Sequence, residues 1–163
     1  MIALLRVDNR LLHGQVLETW IPKLRATRVV VADDQAAQNL LARTAMTLCL
    51  PPTVEAEVVP LGGLDWQALA AAKDQVLVLV RDVEALARAR EGGLGPAEAP
   101  RVNVGNVHFG AERRPVTPSV WLSGPEIRTL RDMEAAGFAV EVRAIPTEPP
   151  TGMAEIERRY AAP

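Results

Sequence analysis

Apolar positions along this chain fall into two alternating kinds of run. Short, β-branched stretches at residues 2–7, 28–32, 54–59 and 76–80 read as strands. Those at 28–32 and 76–80 are apolar enough to be covered on both faces, as in a parallel sheet. Between them lie longer segments with apolar residues at helical spacing. Val16, Leu17, Trp20, Ile21 and Leu24 define a first helix from about Gly14, which Pro22 should end or kink. Asp34 is placed as the N-cap of a helix running to about Leu48 and stopped by Pro51 and Pro52. A further helix is predicted over 64–73, and Asp82 caps another that ends at Gly92 and Gly93. After a loop at 95–100, residues 101–104 start a short strand that runs into a turn-rich stretch, and 119–122 is another short strand. Ser123 and Glu126 have capping-box spacing and open a helix that ends at Gly137. Residues 138–145 form the last strand. The alternation predicts an α/β fold: a single domain with a mainly parallel twisted sheet and helices on both faces. That domain spans 1–147, and 148–163 form a C-terminal tail, helical in part over 152–160.

Composition narrows the class. Of 163 residues, 48% are apolar and 23% charged, the mix of an ordered globular domain. A formal charge of -2 argues against nucleic acid as a partner, since a dedicated binder carries a basic surplus. Cys49 is the only cysteine, so no intrachain disulfide or thiolate cluster is expected, which fits a reducing compartment. Arg6 and Asp8 come too early for a signal-peptide core, and no apolar run approaches the roughly 20 residues that span a bilayer. The expectation is a cytoplasmic protein that is not itself membrane-spanning. Two histidines and one cysteine at distant positions make no zinc site, and no nucleotide-binding glycine string is present.

In open parallel sheets, ligands bind beyond the carboxyl ends of the strands, so the loop after the first strand is the first place to look for chemistry. It reads Arg6-Val7-Asp8-Asn9-Arg10-Leu11-Leu12-His13-Gly14-Gln15. A helix start there offers unpaired N–H groups and partial positive charge to an anion. Gly14 would let backbone approach that anion, and the guanidiniums of Arg6 and Arg10 match phosphate oxygens. Positive surroundings also disfavour the imidazolium form, leaving a nucleophilic nitrogen on His13. Asp8 is placed to orient an arginine or the imidazole. These parts suit a histidine that accepts, holds and donates a phosphoryl group, mostly by positioning and charge stabilisation. The alternative is that both arginines are solvated or paired with acids and the histidine is a capping residue.

The string from Arg6 to Val16 resembles the opening of IIB subunits of mannose/fructose/sorbose-family sugar phosphotransferase systems, which read R-[IV]-D-x-R-[LI]-[IL]-H-G-Q-V. Trp20, the run from Val29 to Asp34, and Asn103-Val104-Gly105-Asn106-Val107-His108 are similar to further family segments, in order, over about residues 1–147. The resemblance implies a mainly parallel sheet with the active loop after the first strand. It implies phosphorylation at His13 and phosphate binding by Arg10, with Arg6 and Asp8 on matching positions nearby; the helix N-terminus around Gly14 and Gln15 is expected to add N–H groups. Family members take the phosphoryl group from a phosphohistidine on a IIA carrier. They give it to a sugar hydroxyl presented by membrane IIC and IID subunits during phosphoenolpyruvate-dependent uptake. A phosphotransferase with a covalent phosphohistidine, no metal and no cofactor is thus expected; a regulatory phosphorelay of the same family is the alternative. The sugar is not legible, because the membrane subunits select it.

Other residues have a functional and a plainer reading. His108 is placed either lining the same pocket or stabilising its glycine-rich loop. Asp33 ends a strand on the functional edge and is a second pocket candidate. Asn103 and Asn106 read as turn formers. Arg113 and Arg114 are candidates for docking an acidic partner. Trp20 is assigned to core or interface, and the apolar first helix leaves a homodimer open.

Overall fold

Two strands made almost wholly of buried residues form the centre of the molecule. In the computed structural model, which describes residues 1–163, β4 (Val76–Val80) lies parallel to β1 (Ile2–Asp8). Around them stand β2 (Arg28–Ala32), β3 (Glu55–Val59), β5 (Arg101–Asn106), β8 (Ala139–Val142) and β9 (Thr151–Gly152). The sheet order is β3-β2-β4-β1-β5-β8-β9, parallel throughout except for β9, which runs against β8. A separate antiparallel pair, β6 (Arg114–Thr117) and β7 (Val120–Leu122), sits beyond β5 and touches it through a bridge from Val107 to Val120.

Strand alternation divides the core in two. Leu5, Val7, Val30, Val76, Val78 and Val80 face the larger cluster. There they meet α4 (Trp66–Ala71), α5 (Val83–Glu91), α6 (Gly124–Ala135) and α7 (Met153–Ala161). Leu4, Val29, Val31, Leu77 and Leu79 face the smaller cluster, which is closed by Val16, Trp20 and Ile21 of the first helix and by Ala36. That side carries a π-helical segment, Val16–Trp20, continuing as α1 (Ile21–Leu24), and then α2 (Asp34–Gln38) and α3 (Leu40–Leu48).

Three local expectations differ from the observed chain. Of the two outcomes expected at Pro22, an end or a kink, the helix does not end there. The π turn before it lets Ile21 N–H reach the Val16 carbonyl, so the missing proline donor is absorbed within a continuous helix that stops at left-handed Arg25. The helix expected from Asp34 to Leu48 is two helices, because extended Asn39 turns its side chain onto Ala42 N–H and caps the second. Its first cap is Asp33, which accepts from Ala36 N–H at 2.9 Å. Strand β8 is followed by β9, so 138–145 does not hold the last strand. Residues 148–163 contribute β9 and α7, whose Met153 and Ile156 enter the larger core at about 1.5–3 kcal/mol each. The capping box of Ser123 and Glu126 forms as expected.

Candidate active site around His13

Period-two alternation along β1 sends Leu4, Arg6 and Asp8 to the face covered by the first helix. The chain then turns back: Leu11 N–H donates to the Asp8 carbonyl at 2.9 Å, and Leu11 adopts φ 57°. A left-handed leucine costs on the order of 1–3 kcal/mol. It is held there because the side chains of Leu11 and Leu12 plug into the smaller core. His13 therefore emerges between a buried anchor and exposed Gly14. Its carbonyl accepts the first helical hydrogen bond, from Leu17 N–H at 3.0 Å. The N–H groups just before that bond have no intrahelical acceptor.

Asp8 is the hub of the site. Its Oδ2 accepts from Arg6 Nη2 at 2.9 Å and meets His13 Nε2 at 2.9 Å; its Oδ1 accepts from Arg10 N–H at 3.0 Å. Burial opposes its ionisation. The hydrogen bond from His13, the Arg6 charge and the Arg10 N–H outweigh that penalty and hold the carboxyl below its ordinary range. An ionised carboxylate is an acceptor only, so the ring nitrogen facing it carries a proton, and in the neutral ring Nδ1 then keeps its lone pair. The nearest charge to the imidazole is thus negative. Asp8 thus orients the imidazole, one of the two roles expected for it, and the positive surroundings expected of the ring include a carboxylate in direct contact with it.

The structure separates the two arginines. Arg10 is 43% exposed, with long contacts to Asp8 Oδ1 (Nε, 3.5 Å) and Gln15 Oε1 (Nη2, 3.3 Å), so its guanidinium is open to a ligand. Arg6, expected on the phosphate, is 0% exposed and turned inward. Its Nη1 donates to Asn103 Oδ1 at 2.6 Å and to the Arg143 carbonyl at 3.2 Å. A residue inside a central strand covered on both faces has no route to solvent. Burial pushes this guanidinium below its ordinary value, against the attraction of Asp8. Gly14 is exposed, and a Cβ there would meet nothing within 4 Å, so the space over the loop is open. The Gln15 side chain, by contrast, is engaged by Arg10.

Asn9, to which the sequence reading assigned no role, ties the loop to both neighbouring strands. It donates through Nδ2 to the Arg81 carbonyl at 2.7 Å and accepts through Oδ1 from His108 N–H at 2.7 Å. A short polar side chain between Asp8 and Arg10 was the available signal. His108 is thereby placed beside the loop that carries His13, exposed, with Nε2 3.0 Å from Asn106 Nδ2. Arg113, a docking candidate, instead clasps Glu126 through two nitrogens at 2.7 and 3.1 Å and donates to the His108 carbonyl at 3.0 Å. Asp33 does not meet the imidazole. It grips Arg81 at 2.9 and 2.6 Å, and despite burial the Arg81 fork and Ala36 N–H hold it below its ordinary range. Trp20 is core: it is buried, and its Nε1 donates to the Ala144 carbonyl at 2.9 Å, so the first helix does not offer it to a partner. Asn103, read as a turn former, lies inside β5 as the Arg6 acceptor.

Fold and site together define an α/β protein with a partly exposed histidine, held by a buried carboxylate, at the start of its first helix. The family model for the PTS system sorbose subfamily IIB component matches residues 2–161, and the chain belongs to that family. It is 29% identical over 158 residues to the mannose-specific EIIAB component of Escherichia coli K12, covering 96% of this chain and 48% of that protein. The chain spans about half the length of such two-part relatives. It is 28% identical over 159 residues to the fructose-specific EIIB component of Bacillus subtilis, covering 96% of each. Among solved structures, manxB from Thermoanaerobacter tengcongensis superposes with a TM-score of 0.86 at 25% identity, over 99% of this chain and 98% of that one. The IIBSor domain of the Klebsiella pneumoniae sorbose permease shares the fold, with a TM-score of 0.83 at 22% identity over 99% of both chains. No helix of the chain is long and apolar enough to cross a membrane.

Proposed function

We propose that this chain is a cytoplasmic phosphotransferase that carries a phosphoryl group on His13 during sugar uptake. His13 Nδ1 takes the group from a phosphohistidine on a IIA carrier and passes it to a sugar hydroxyl presented by membrane IIC and IID subunits. The observation that carries the reading is the 2.9 Å contact of His13 Nε2 with a buried, ionised Asp8. It leaves Nδ1 as the nucleophile on a partly exposed ring. In the acceptance step the Nδ1 lone pair forms the new N–P bond while the donor's N–P bond breaks, its electrons returning to the donor imidazole. No proton has to move: Nε2 keeps its hydrogen, and Asp8 balances the charge that develops on the ring. Arg10 can leave its long contacts and turn its fork onto the phosphoryl oxygens. The free N–H groups at the start of the first helix supply further donors over the open face of Gly14. In the second step the sugar hydroxyl oxygen attacks phosphorus, the N–P bond breaks with its pair returning to Nδ1, and the hydroxyl proton leaves to solvent. Positioning and charge from these side chains suffice for such a transfer, and neither metal nor cofactor enters the proposal.

The test is labelling from phosphoenolpyruvate through the upstream carriers and a phospho-IIA protein. Wild-type chain should take up acid-labile label, His13→Ala none, and His108→Ala as much as wild type. Equal labelling of wild type and His13→Ala refutes the assignment. The relatives are named for particular sugars, which favours transfer over the regulatory relay. Discharge of the label by sugar when IIC/IID membranes are added is the corresponding check.

A further inference from the structure

Arg6 is the charged group whose role the transfer chemistry leaves open. Its side chain is fully buried, and its Nε has no hydrogen-bond partner. Desolvating a charge costs several kcal/mol, and an apolar residue of similar volume often serves a core as well or better. Yet the surrounding chain is built to keep this one. A Cβ on Gly105 would lie 1.9 Å from Arg6 Cζ, so β5 leaves that volume to the guanidinium. Asn103 and the Arg143 carbonyl take Nη1, and Arg6 Cζ lies 5.2 Å from the centroid of the Trp20 ring. What these contacts deliver is Nη2 at Asp8 Oδ2, the same oxygen that faces His13 Nε2.

We propose that Arg6 is a positioning residue: acting through Asp8, it selects the His13 tautomer with Nε2 protonated and Nδ1 free, and it never touches the phosphoryl group. The reason lies in the donor inventory. A carboxylate paired with a fixed cation can only accept, so the ring must present N–H to it. A carboxyl without that cation can take up a proton from solvent and donate it to Nε2, which would leave the ring hydrogen on Nδ1 and block the nucleophile. The inference rests on the phosphocarrier reading only for the consequence of that choice.

The experiment is nitrogen-15 NMR of histidine-labelled protein, unphosphorylated and without donor, with the His13 signals assigned by their loss in His13→Ala. Wild type should show the Nε2–H tautomer. Arg6→Gln should mix the tautomers and lower phosphoryl acceptance by roughly 10–100-fold, the loss typical when a partner that orients a histidine is removed. Arg6→Lys, which keeps a cation in the same space, should retain the Nε2–H tautomer and most of the rate. An Nδ1–H ring in wild type, or a wild-type spectrum in Arg6→Gln, overturns the proposal. An Nδ1–H ring in Arg6→Lys does so as well, even where Arg6→Gln fails to fold. Because the tautomer is read without a donor, it can fail while His13 still labels, and labelling can fail while the tautomer holds.

Discussion

Replacing Asp8 with asparagine changes the shape of the site hardly at all and its hydrogen bonding completely. Asp8 accepts from three donors, at 2.9 Å from Arg6, 2.9 Å from His13 and 3.0 Å from Arg10 N–H. An asparagine with its NH2 at the Oδ2 position would point donors at Arg6 and His13; flipped, it would point them at Arg10 N–H. In both poses Arg6 stays buried without its ion-pair partner. Removing one partner of a buried ion pair costs about 3–5 kcal/mol. That is a large share of the roughly 5–15 kcal/mol that holds a domain together. At about 2–4 °C per kcal/mol for a chain of this size, the thermal midpoint should fall by roughly 6–20 °C. Urea and thermal unfolding measure the loss. Acid supplies a second reading of the same pair. Burial works to raise the Asp8 value, but His13, Arg6 and Arg10 N–H bring it below the ordinary 3.8. Its contribution is therefore present above pH 3.8 and is lost as pH falls below that towards the folded value. Asp8→Asn should lose less stability than wild type across that window. A variant within about 0.5 kcal/mol of wild type, the range of ordinary surface changes, would refute the claim that Asp8 is the counter-charge of a buried cation.

Two further outcomes follow from the contrast between the arginines and from the Asp33 cap. Arg10→Lys replaces a planar fork by a point charge on an exposed loop, so transfer from phospho-IIA should slow while stability changes by no more than about 0.5 kcal/mol. An unchanged transfer rate would remove Arg10 from the phosphate. Asp33→Ala deletes the cap on Ala36 N–H and the Arg81 pair, and should cost about 1–2 kcal/mol for the cap alone. His13 labelling should persist in that variant, because Asp33 grips Arg81 and not the ring; loss of labelling in a folded Asp33→Ala would contradict this separation.

Much of this arrangement was legible in the chain. Strands β2 and β4 begin and end where their apolar runs do, and the α6 capping box forms at the expected Ser123 and Glu126. Strand β6 was missed because Arg114 and Pro115 spoil its pattern; only pairing with β7 makes it a strand. The break at Asn39 went unseen because the flanking residues are all compatible with a helix, and it is the side-chain cap that ends one helix and starts the next. The charge of Arg6 suggests an exposed phosphate ligand, whereas its place in a central strand buries it. Alternation along β1 puts Leu4, Arg6 and Asp8 on one face, but that Trp20 covers this face is settled only by packing.

The sequence alone determined the positions of β1 to β5 and put His13 at the start of the first helix after β1. Periodicity, capping and turn preference act between residues a few positions apart, and near neighbours are what a string of letters displays. Only the tertiary structure decided which arginine faces solvent, which imidazole nitrogen is free, and that Asn9 fastens the loop to the ends of β4 and β5. Those outcomes depend on partners such as Asn103 and Arg143, which lie 97 and 137 positions from Arg6. Their meeting is set by the order in which the strands assemble into one sheet, and nothing local records it.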